Sequence, residues 1–313
     1  MSGKNLKIDS DNAGRRIDNY LFYIYKGLPK SKVYNMIRKG EIRVNSGRIK
    51  PTRKLLEGDE IRIPPYLIDF GSEDAPIMIP QSQIKSFLDS IIYEDDHFII
   101  VNKKVELSVH SGSSNQFGLI DIARAAYPKM EIDLGHRLDK STSGCILLSK
   151  TKKFLKHFHN QLQTDQVTKS YEAILLGSIK KPIRIESNID ISTKEFQHKV
   201  QISDSGKKAI SEFSLIKALG NFSHVKIIIS TGRMHQIRVQ SAEMKHPVFN
   251  DKKYGDFSLN KLLSKKLKVS RLALHSRSIS FEDLYGHKLM FEAPHDTEFD
   301  ILLSKLGDAS IQT

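Results

Sequence analysis

The polar segment at residues 135–144 carries the side chains best suited to chemistry, and it stands just before the apolar run at 145–148. Within it, Asp139 lies between Arg137 and Lys140. Nearby positive charge favours the ionised form of a carboxyl group, and an ionised aspartate can act as a nucleophile. An aspartate in a loop rich in Ser, Thr and Gly can equally be a turn former that accepts hydrogen bonds from backbone N–H groups. The segment by itself leaves both interpretations open.

A larger folded unit must position this segment, and hydrophobic patterning predicts its elements. Short apolar runs typical of buried strands occur at residues 98–101, 145–148, 171–176 and 225–229. Apolar side chains four positions apart predict a helix over residues 151–163. Residues 236–240, Gln-Ile-Arg-Val-Gln, alternate between polar and apolar, which predicts a strand.

The N-terminal part of the chain is strongly basic. Residues 14–63 carry 13 Lys and Arg against 5 Asp and Glu, in a chain of 313 residues whose formal net charge is +13. Patterning predicts helices over about 17–24 and 31–40 and strands at 41–45 and 60–63. Such an excess suits a polyanionic partner, because Lys and Arg that neutralise phosphates release counterions; a charge that only maintains solubility is the alternative. The basic residues at the joins between these elements are Arg38, Lys39, Arg43, Arg48 and Lys50.

The chain is long enough to bury two cores, and two prolines mark where the first should end. Pro64 and Pro65 cannot donate to a sheet ladder, and residues 64–85 show no sustained periodicity. We therefore predict an α+β protein with a basic module at 14–63, a linker at 64–85 and a larger domain at 86–313.

Motifs in both predicted domains resemble known families. Residues 17–21, 29–31, 37–45 and 56–59 look like the S4 RNA-binding module. His-Arg-Leu-Asp at 136–139, followed by Thr-Ser-Gly at 142–144, resembles the central motif of the pseudouridine synthases that modify the large ribosomal subunit. Further stretches similar to that family follow in the expected order at residues 169–173, 231–239, 246–247, 251–255 and 271–275.

The resemblance implies a fold, a reaction and a set of catalytic residues. The fold is a catalytic domain on a mixed, largely antiparallel β-sheet with flanking helices. The reaction breaks the N1–C1′ bond of a uridine in RNA, turns the uracil and rejoins it through C5, with no cofactor and no metal. Asp139 would be the nucleophile, Tyr171 would stack on the base and help remove the C5 proton, and Arg238 would form a salt bridge to Asp139. Tyr171 as a core tyrosine and Arg238 as an exposed strand residue are the structural alternatives.

The same resemblance implies contacts to the substrate. Arg137 would enter the space vacated by a flipped base. Leu272 or Leu274 would form the apolar wall of the uracil pocket, and the sequence leaves the choice between them open. The remaining substrate-binding residues implied by these motifs are His136, Arg233 and His235.

Within the family, residues 44–45, 58–65 and 249–256 look most like the type C enzymes, which act on several uridines of 23S rRNA. A type D enzyme with other target sites and a non-catalytic rRNA-binding assembly factor are the alternatives. The partner would be 23S rRNA or a large-subunit assembly intermediate, and the protein a monomer. The lone cysteine, Cys145, a polar N-terminus and the lack of a membrane-spanning apolar run predict a cytoplasmic protein with no membrane contact.

Overall fold

The computed structural model describes residues 4–10, 12–25, 28–67, 78–111, 117–192, 199–203 and 206–307. The chain forms two compact units, and the boundary between them in the sequence falls after Met78. Most of the predicted linker, residues 68–77, lies outside the described residues. No helix in these described ranges is long and apolar enough to cross a membrane.

The N-terminal unit is a small sheet covered by two helices. Strand β3 is central and pairs in antiparallel fashion with both β1 and β2. Both predicted helices and the strand at 60–63 are confirmed, whereas β1 precedes the predicted start of the module at residue 14. A polar four-residue strand gives no periodic signal, so pairing with β3 defines it. The elements are β1 (Lys4–Lys7), α1 (Ile17–Ile24), α2 (Lys30–Lys39), β2 (Arg43–Val44), β3 (Glu60–Ile63) and a 3₁₀ turn (Pro65–Leu67).

The C-terminal unit begins with a helix, α3, that lies partly within the predicted linker at 64–85. Only Phe87 of α3 is fully buried, which explains the weak periodicity there. The helices are α3 (Gln81–Leu88), α4 (Leu119–Ala126), α5 (Lys152–Gln163), α6 (Gln236–Glu243), α7 (Phe257–Leu267) and α8 (Thr297–Gly307). The strands are β4 (Ile91–Glu94), β5 (Phe98–Lys103), β6 (Asp133–Leu134), β7 (Ser143–Ser149), β8 (Thr168–Leu176), β9 (Ile183–Ser192), β10 (Lys199–Ile202), β11 (Lys207–Leu219), β12 (Phe222–Ile229), β13 (Leu274–Glu282) and β14 (Lys288–Glu292).

These described strands form one mixed sheet in the order β10-β9-β11-β12-β8-β13-β7-β5-β4. Strand β14 pairs with β13, and β6 with β7. Every pairing is antiparallel except the short parallel one between β7 and β13. The predicted fold class is therefore confirmed, and the middle of the sheet, where β7, β8 and β13 meet, carries the candidate site.

The predicted strand at 236–240 is wrong, because these residues belong to α6. All residues from Gln236 to Ser241 are buried, so the helix shows no polar face in its sequence. Buried amides are satisfied by hydrogen bonds: Gln236 Nε2 donates to Ile210 O at 2.9 Å, and Gln240 Oε1 accepts from Ser211 Oγ at 2.7 Å. Because neighbouring elements bury these polar side chains and bond to them, α6 lacks the alternation of an apolar and a polar face on which a helix prediction depends.

Candidate active site

Asp139 lies in the loop that connects β6 to β7, and several contacts hold this loop on the sheet. The Leu138 side chain next to it is buried in the core. The backbone N–H of Thr142 donates to Asp139 O at 3.1 Å and closes a turn. The Lys103 ammonium donates to Lys140 O at 3.1 Å from the neighbouring strand β5. The Asp139 carboxylate therefore projects from a loop that is fixed on both sides of it.

Two glycines let the ends of this loop approach the sheet closely. Gly144 has φ +108°, and a Cβ there would stand 2.1 Å from Ser276 O on the parallel strand β13. At Gly135, a Cβ would stand 2.4 Å from a methyl carbon of Leu147. Larger residues would push the loop off the sheet, so the glycines that flank the predicted motif serve to place Asp139.

Arg238 reaches Asp139 from α6. Its Nη1 donates to Asp139 Oδ2 at 3.2 Å, and its side chain is only 9% exposed. The predicted pairing of Arg238 with Asp139 is thus present in the structure, although a helix rather than a strand delivers the arginine. A charge-assisted hydrogen bond of this kind orients the carboxylate.

Asp251 fixes Arg238 from the other side, a role that no pattern in the sequence indicated. Its carboxylate accepts from Arg238 Nε at 2.7 Å and from Arg238 Nη2 at 2.9 Å, in a bidentate pair. The backbone N–H groups of Lys253 and Tyr254 donate to the same carboxylate at 2.8 and 3.1 Å. Although burial opposes ionisation, these hydrogen bonds and the Arg238 charge keep the pKa of Asp251 below its ordinary value.

His235 completes the polar side of the site. It stands at the N-terminus of α6 in a left-handed conformation, φ 53°, and its Nδ1 lies 2.8 Å from Tyr254 Oη. Its Nε2 is 3.7 Å from Asp139 Oδ2. Burial, aided by the nearby Arg238 charge and opposed by Asp139, lowers the pKa of His235, so the ring is neutral near pH 7.

A cavity of about 280 Å³ opens beside the Asp139 carboxylate. Tyr171 reaches it from β8 and Leu274 from β13, whereas Leu272 packs into the hydrophobic core. Burial raises the pKa of the Tyr171 hydroxyl above its ordinary value, so the phenol is neutral near pH 7. One aromatic and one aliphatic wall facing a carboxylate suit a flat, partly polar ring. The lining side chains are Arg137, Leu138, Asp139, Thr142, Tyr171, Lys207, Ile229, Arg233, Met234, His235, Gln236, Ile237, Arg238 and Leu274.

Four of the six predicted substrate-binding residues line this cavity, and His136 and Leu272 do not. Arg137 and Arg233 line the cavity with exposed side chains. His136 points elsewhere: its Nε2 accepts from the backbone N–H of Leu147 at 3.1 Å. Burial and the positive charge of Lys169 lower the pKa of His136 to about 3. The neutral ring of His136 therefore anchors the loop to β7.

Lys103 was not predicted as a site residue, yet it supports the loop. Its side chain is fully buried, and the ammonium donates to the carbonyls of Lys104, Leu107 and Lys140 at 2.9, 2.8 and 3.1 Å. Burial lowers its pKa to about 7, although the Asp139 charge opposes this. Lys103 follows the apolar run at 98–101 and lies two positions after Val101, on the same buried face of the strand. This position is the sequence signal that could have identified Lys103 as a buried residue near the site.

The five predicted RNA-binding residues belong to the N-terminal unit. Arg38, Lys39, Arg48 and Lys50 are exposed, while Arg43 is half-buried and donates from Nε to Gly40 O at 3.0 Å. Gly40 ends α2 in a left-handed conformation and turns the chain towards β2. In neither unit do the described residues include three or more His, Cys, Asp or Glu side chains grouped so that they could hold a metal ion.

Comparison with known proteins identifies the family of each unit. Residues 97–243 match the RNA pseudouridylate synthase family, and residues 15–61 match the S4 domain. The chain belongs to the RNA pseudouridylate synthase family.

Individual proteins that are similar to this chain include two bacterial enzymes and one human solved structure. The chain is 39% identical to the ribosomal large subunit pseudouridine synthase C of Haemophilus influenzae, over 98% of this chain and 96% of that protein. It is 37% identical to the enzyme of the same name from Escherichia coli, over 98% of both chains. The fold is similar to that of human RNA pseudouridylate synthase domain containing 4, with a TM-score of 0.60 at 23% identity over 72% of this chain and 97% of that one.

Proposed function

We propose that this protein isomerises specific uridines to pseudouridine in 23S rRNA, as a type C enzyme of the large ribosomal subunit. The observation that carries the proposal is the Asp139 carboxylate, held by Arg238 at 3.2 Å at the edge of a cavity with an aromatic and an aliphatic wall. The relatives that share nearly the whole length of the chain are synthases of this type. The substrate would be 23S rRNA or an assembly intermediate, handled by a cytoplasmic monomer.

The reaction needs the target nucleotide outside its helix, because the base must turn within the site. The cavity of about 280 Å³ is near the lower end of small-molecule pockets, about 300 Å³, which suits a single nucleoside. Flipping costs a few kcal/mol of stacking, and Arg137, exposed at the rim, is placed to occupy the vacated position and offset part of that cost.

Asp139 starts the chemistry. Its carboxylate either attacks C1′ as the N1–C1′ bond breaks or assists loss of the base by another route, and both begin from the same ionised carboxylate. The uracil then turns and C5 bonds to C1′, and in the first route the bond between Asp139 and C1′ breaks in this step and regenerates the carboxylate. The C5 proton leaves and N1 gains a proton, so atoms and charge balance without redox change. Arg238 and Asp251 contribute to these steps by holding the Asp139 carboxylate in place.

Tyr171 and Leu274 are proposed as the two walls that hold the ring while it turns. Because the Tyr171 phenol is neutral near pH 7, stacking is its main role, and removal of the C5 proton through its hydroxyl requires a second acceptor. Of the two leucines that the sequence left open, Leu274 is the better candidate, since it lines the cavity.

Release of tritium from an RNA that carries [5-³H]uridine tests this function, because C5 loses its hydrogen in the reaction. We expect release with the wild-type chain and none with Asp139→Asn, whose amide is neutral. Release from neither chain would refute the enzyme assignment and leave an rRNA-binding factor, whereas equal release from both chains would refute the catalytic role of Asp139. Undiminished release in EDTA would exclude a metal-dependent nuclease, and the positions of the pseudouridines separate type C from type D.

A further inference from the structure

A second cavity, of about 690 Å³, adjoins the reaction cavity. The two share lining residues, among them Arg137, Tyr171 and Arg233. The second cavity is therefore open to a nucleotide next to the one in the first cavity. The charged side chains of the second cavity are mostly basic, with Lys169 and Lys208 besides the two arginines and Asp165 as the acidic exception.

Lys169 differs from the other basic residues of this cavity because it is buried, with a relative exposure of 6%. It lies two positions before Tyr171 on β8, so both side chains are on the same face of the strand. Lys208, in contrast, is exposed and paired with Glu186 at 2.6 Å. Arg233 is also exposed, and its Nε donates to a backbone carbonyl.

Within the described part of the chain, the Lys169 ammonium has no counter-charge in contact with it. Among the described residues, no carboxylate stands within ion-pair distance of it; Asp165 attracts it only from farther away. The chain leaves the space beside it open at Gly232, where a Cβ would stand 3.3 Å from Lys169 Nζ. Burial lowers the pKa of Lys169 to about 8, so the side chain remains largely protonated near pH 7. A buried cation without a partner, facing a cavity, is suited to an anionic ligand.

We propose that Lys169 is the binding site for one phosphodiester group of the substrate RNA, adjacent to the nucleotide in the reaction cavity. The inference rests on the proposed function, because the phosphate belongs to the strand that carries the target uridine. Since β8 carries both side chains, Lys169 sets the position of the strand relative to Tyr171. Lys169 thus contributes to substrate binding rather than to bond making.

The first test is RNA affinity, measured with the full chain carrying Asp139→Asn so that no turnover occurs. The probe is a 23S rRNA transcript. We expect Lys169→Met to raise Kd about 10-fold or more, the loss of one charge-assisted contact, and to reduce the slope of log Kd against log salt by about 0.7. Lys169→Arg keeps the charge and should keep the slope. Lys217→Met removes an exposed lysine that lines neither cavity, and it should bind like the parent chain.

The second test locates the phosphate. A short RNA with one uridine that the wild-type chain isomerises is prepared with a single neutral methylphosphonate at each linkage near that uridine. At one linkage we expect kcat/KM to fall about 10-fold with the wild type and Lys217→Met, but to be unchanged with Lys169→Met. The inference is refuted if Lys169→Met and the methylphosphonate lower kcat/KM independently of each other at every linkage. It is also refuted if no methylphosphonate lowers kcat/KM of the wild type.

These outcomes are separate from a failure of the proposed function. A wild-type chain that forms no pseudouridine in any RNA would refute the function itself. A Lys169→Met chain that is less stable but shows the wild-type sensitivity at every linkage would assign Lys169 to the fold alone, against the inference. If Lys169→Met does not fold, Lys169→Gln replaces it in the linkage scan, because it also removes the cation but keeps a hydrogen-bonding side chain.

Discussion

Replacing Asp251 by Asn tests whether Asp139 depends on a partner that it does not touch. The new side chain would present an amide N–H group to Arg238 Nε, where the carboxylate now accepts at 2.7 Å, so donor would face donor. Breaking a buried ion pair typically costs about 3–5 kcal/mol. Arg238 keeps Asp139 as a second partner, so we expect the low end, about 3 kcal/mol.

That loss should appear in both stability and activity. For a unit of this size, about 3 kcal/mol lowers Tm by roughly 6–12 °C. Below that temperature the folded Asp251→Asn chain should show kcat reduced by about 100-fold with little change in KM, because Arg238 no longer holds the carboxylate in line. The assay is tritium release, with circular dichroism to establish the folded fraction.

Asp256→Ala is the matched control. Asp256 caps α7 by accepting from Leu259 N at 2.9 Å, so its loss costs about 1 kcal/mol of stability. We expect its kcat to equal that of the wild type when the chain is folded. The proposed role of Asp251 in positioning Asp139 would be refuted if Asp251→Asn had the kcat of the wild type. It would also be refuted if the decrease in activity were no greater than the fraction of the chain that is unfolded.

Three further predictions concern other groups. Because the pKa of Tyr171 is raised, its phenol should stay neutral and kcat should not rise between about pH 8 and about pH 10. A rise in this range that is lost in Tyr171→Phe would instead identify a phenolate base. Burial opposes ionisation of Glu172, but the hydrogen bond from His224 at 2.7 Å and the His295 ring, whose Nε2 lies 3.0 Å from the carboxylate, hold its pKa below the ordinary 4.5. Its stabilisation is therefore complete above about pH 4.5 and lost as pH falls, so urea unfolding should show a smaller decrease from about pH 7 to about pH 3 in Glu172→Gln than in the wild type. Neutralising the exposed basic residues of the N-terminal unit should weaken rRNA binding about 10-fold or more and reduce its salt dependence, with the melting of the C-terminal unit unchanged; an unchanged salt slope would refute their role. The residues to change together are Arg38, Lys39, Arg48 and Lys50.

Local patterning was sufficient where burial leaves a regular apolar pattern. The helices of the basic module are present as expected because helical spacing reflects one-sided burial, and the strands at 98–101 and 171–176 because continuous apolar runs are typical of strands buried on both faces. It failed at α6, where polar residues are buried on all sides and hydrogen-bonded to other strands. It also missed β1, whose only signal is its pairing with β3.

The candidate site divides in the same way. Asp139 stands out through its motif, and its position next to Arg238 follows from the resemblance rather than from any spacing in the chain. Asp251 and Lys103 act through hydrogen bonds to residues distant in sequence, which no local pattern contains. Lys169 looks like an ordinary strand lysine until its burial and its place beside the cavity are known.

The most direct test of the central claim is a map of pseudouridines in 23S rRNA from cells that lack this gene, complemented with either the wild-type or the Asp139→Asn chain. We predict that pseudouridines missing in the deletion strain return with the wild type and stay missing with Asp139→Asn, although both chains are folded and bind RNA. Return of the same pseudouridines with Asp139→Asn, or no difference on deletion, would contradict it.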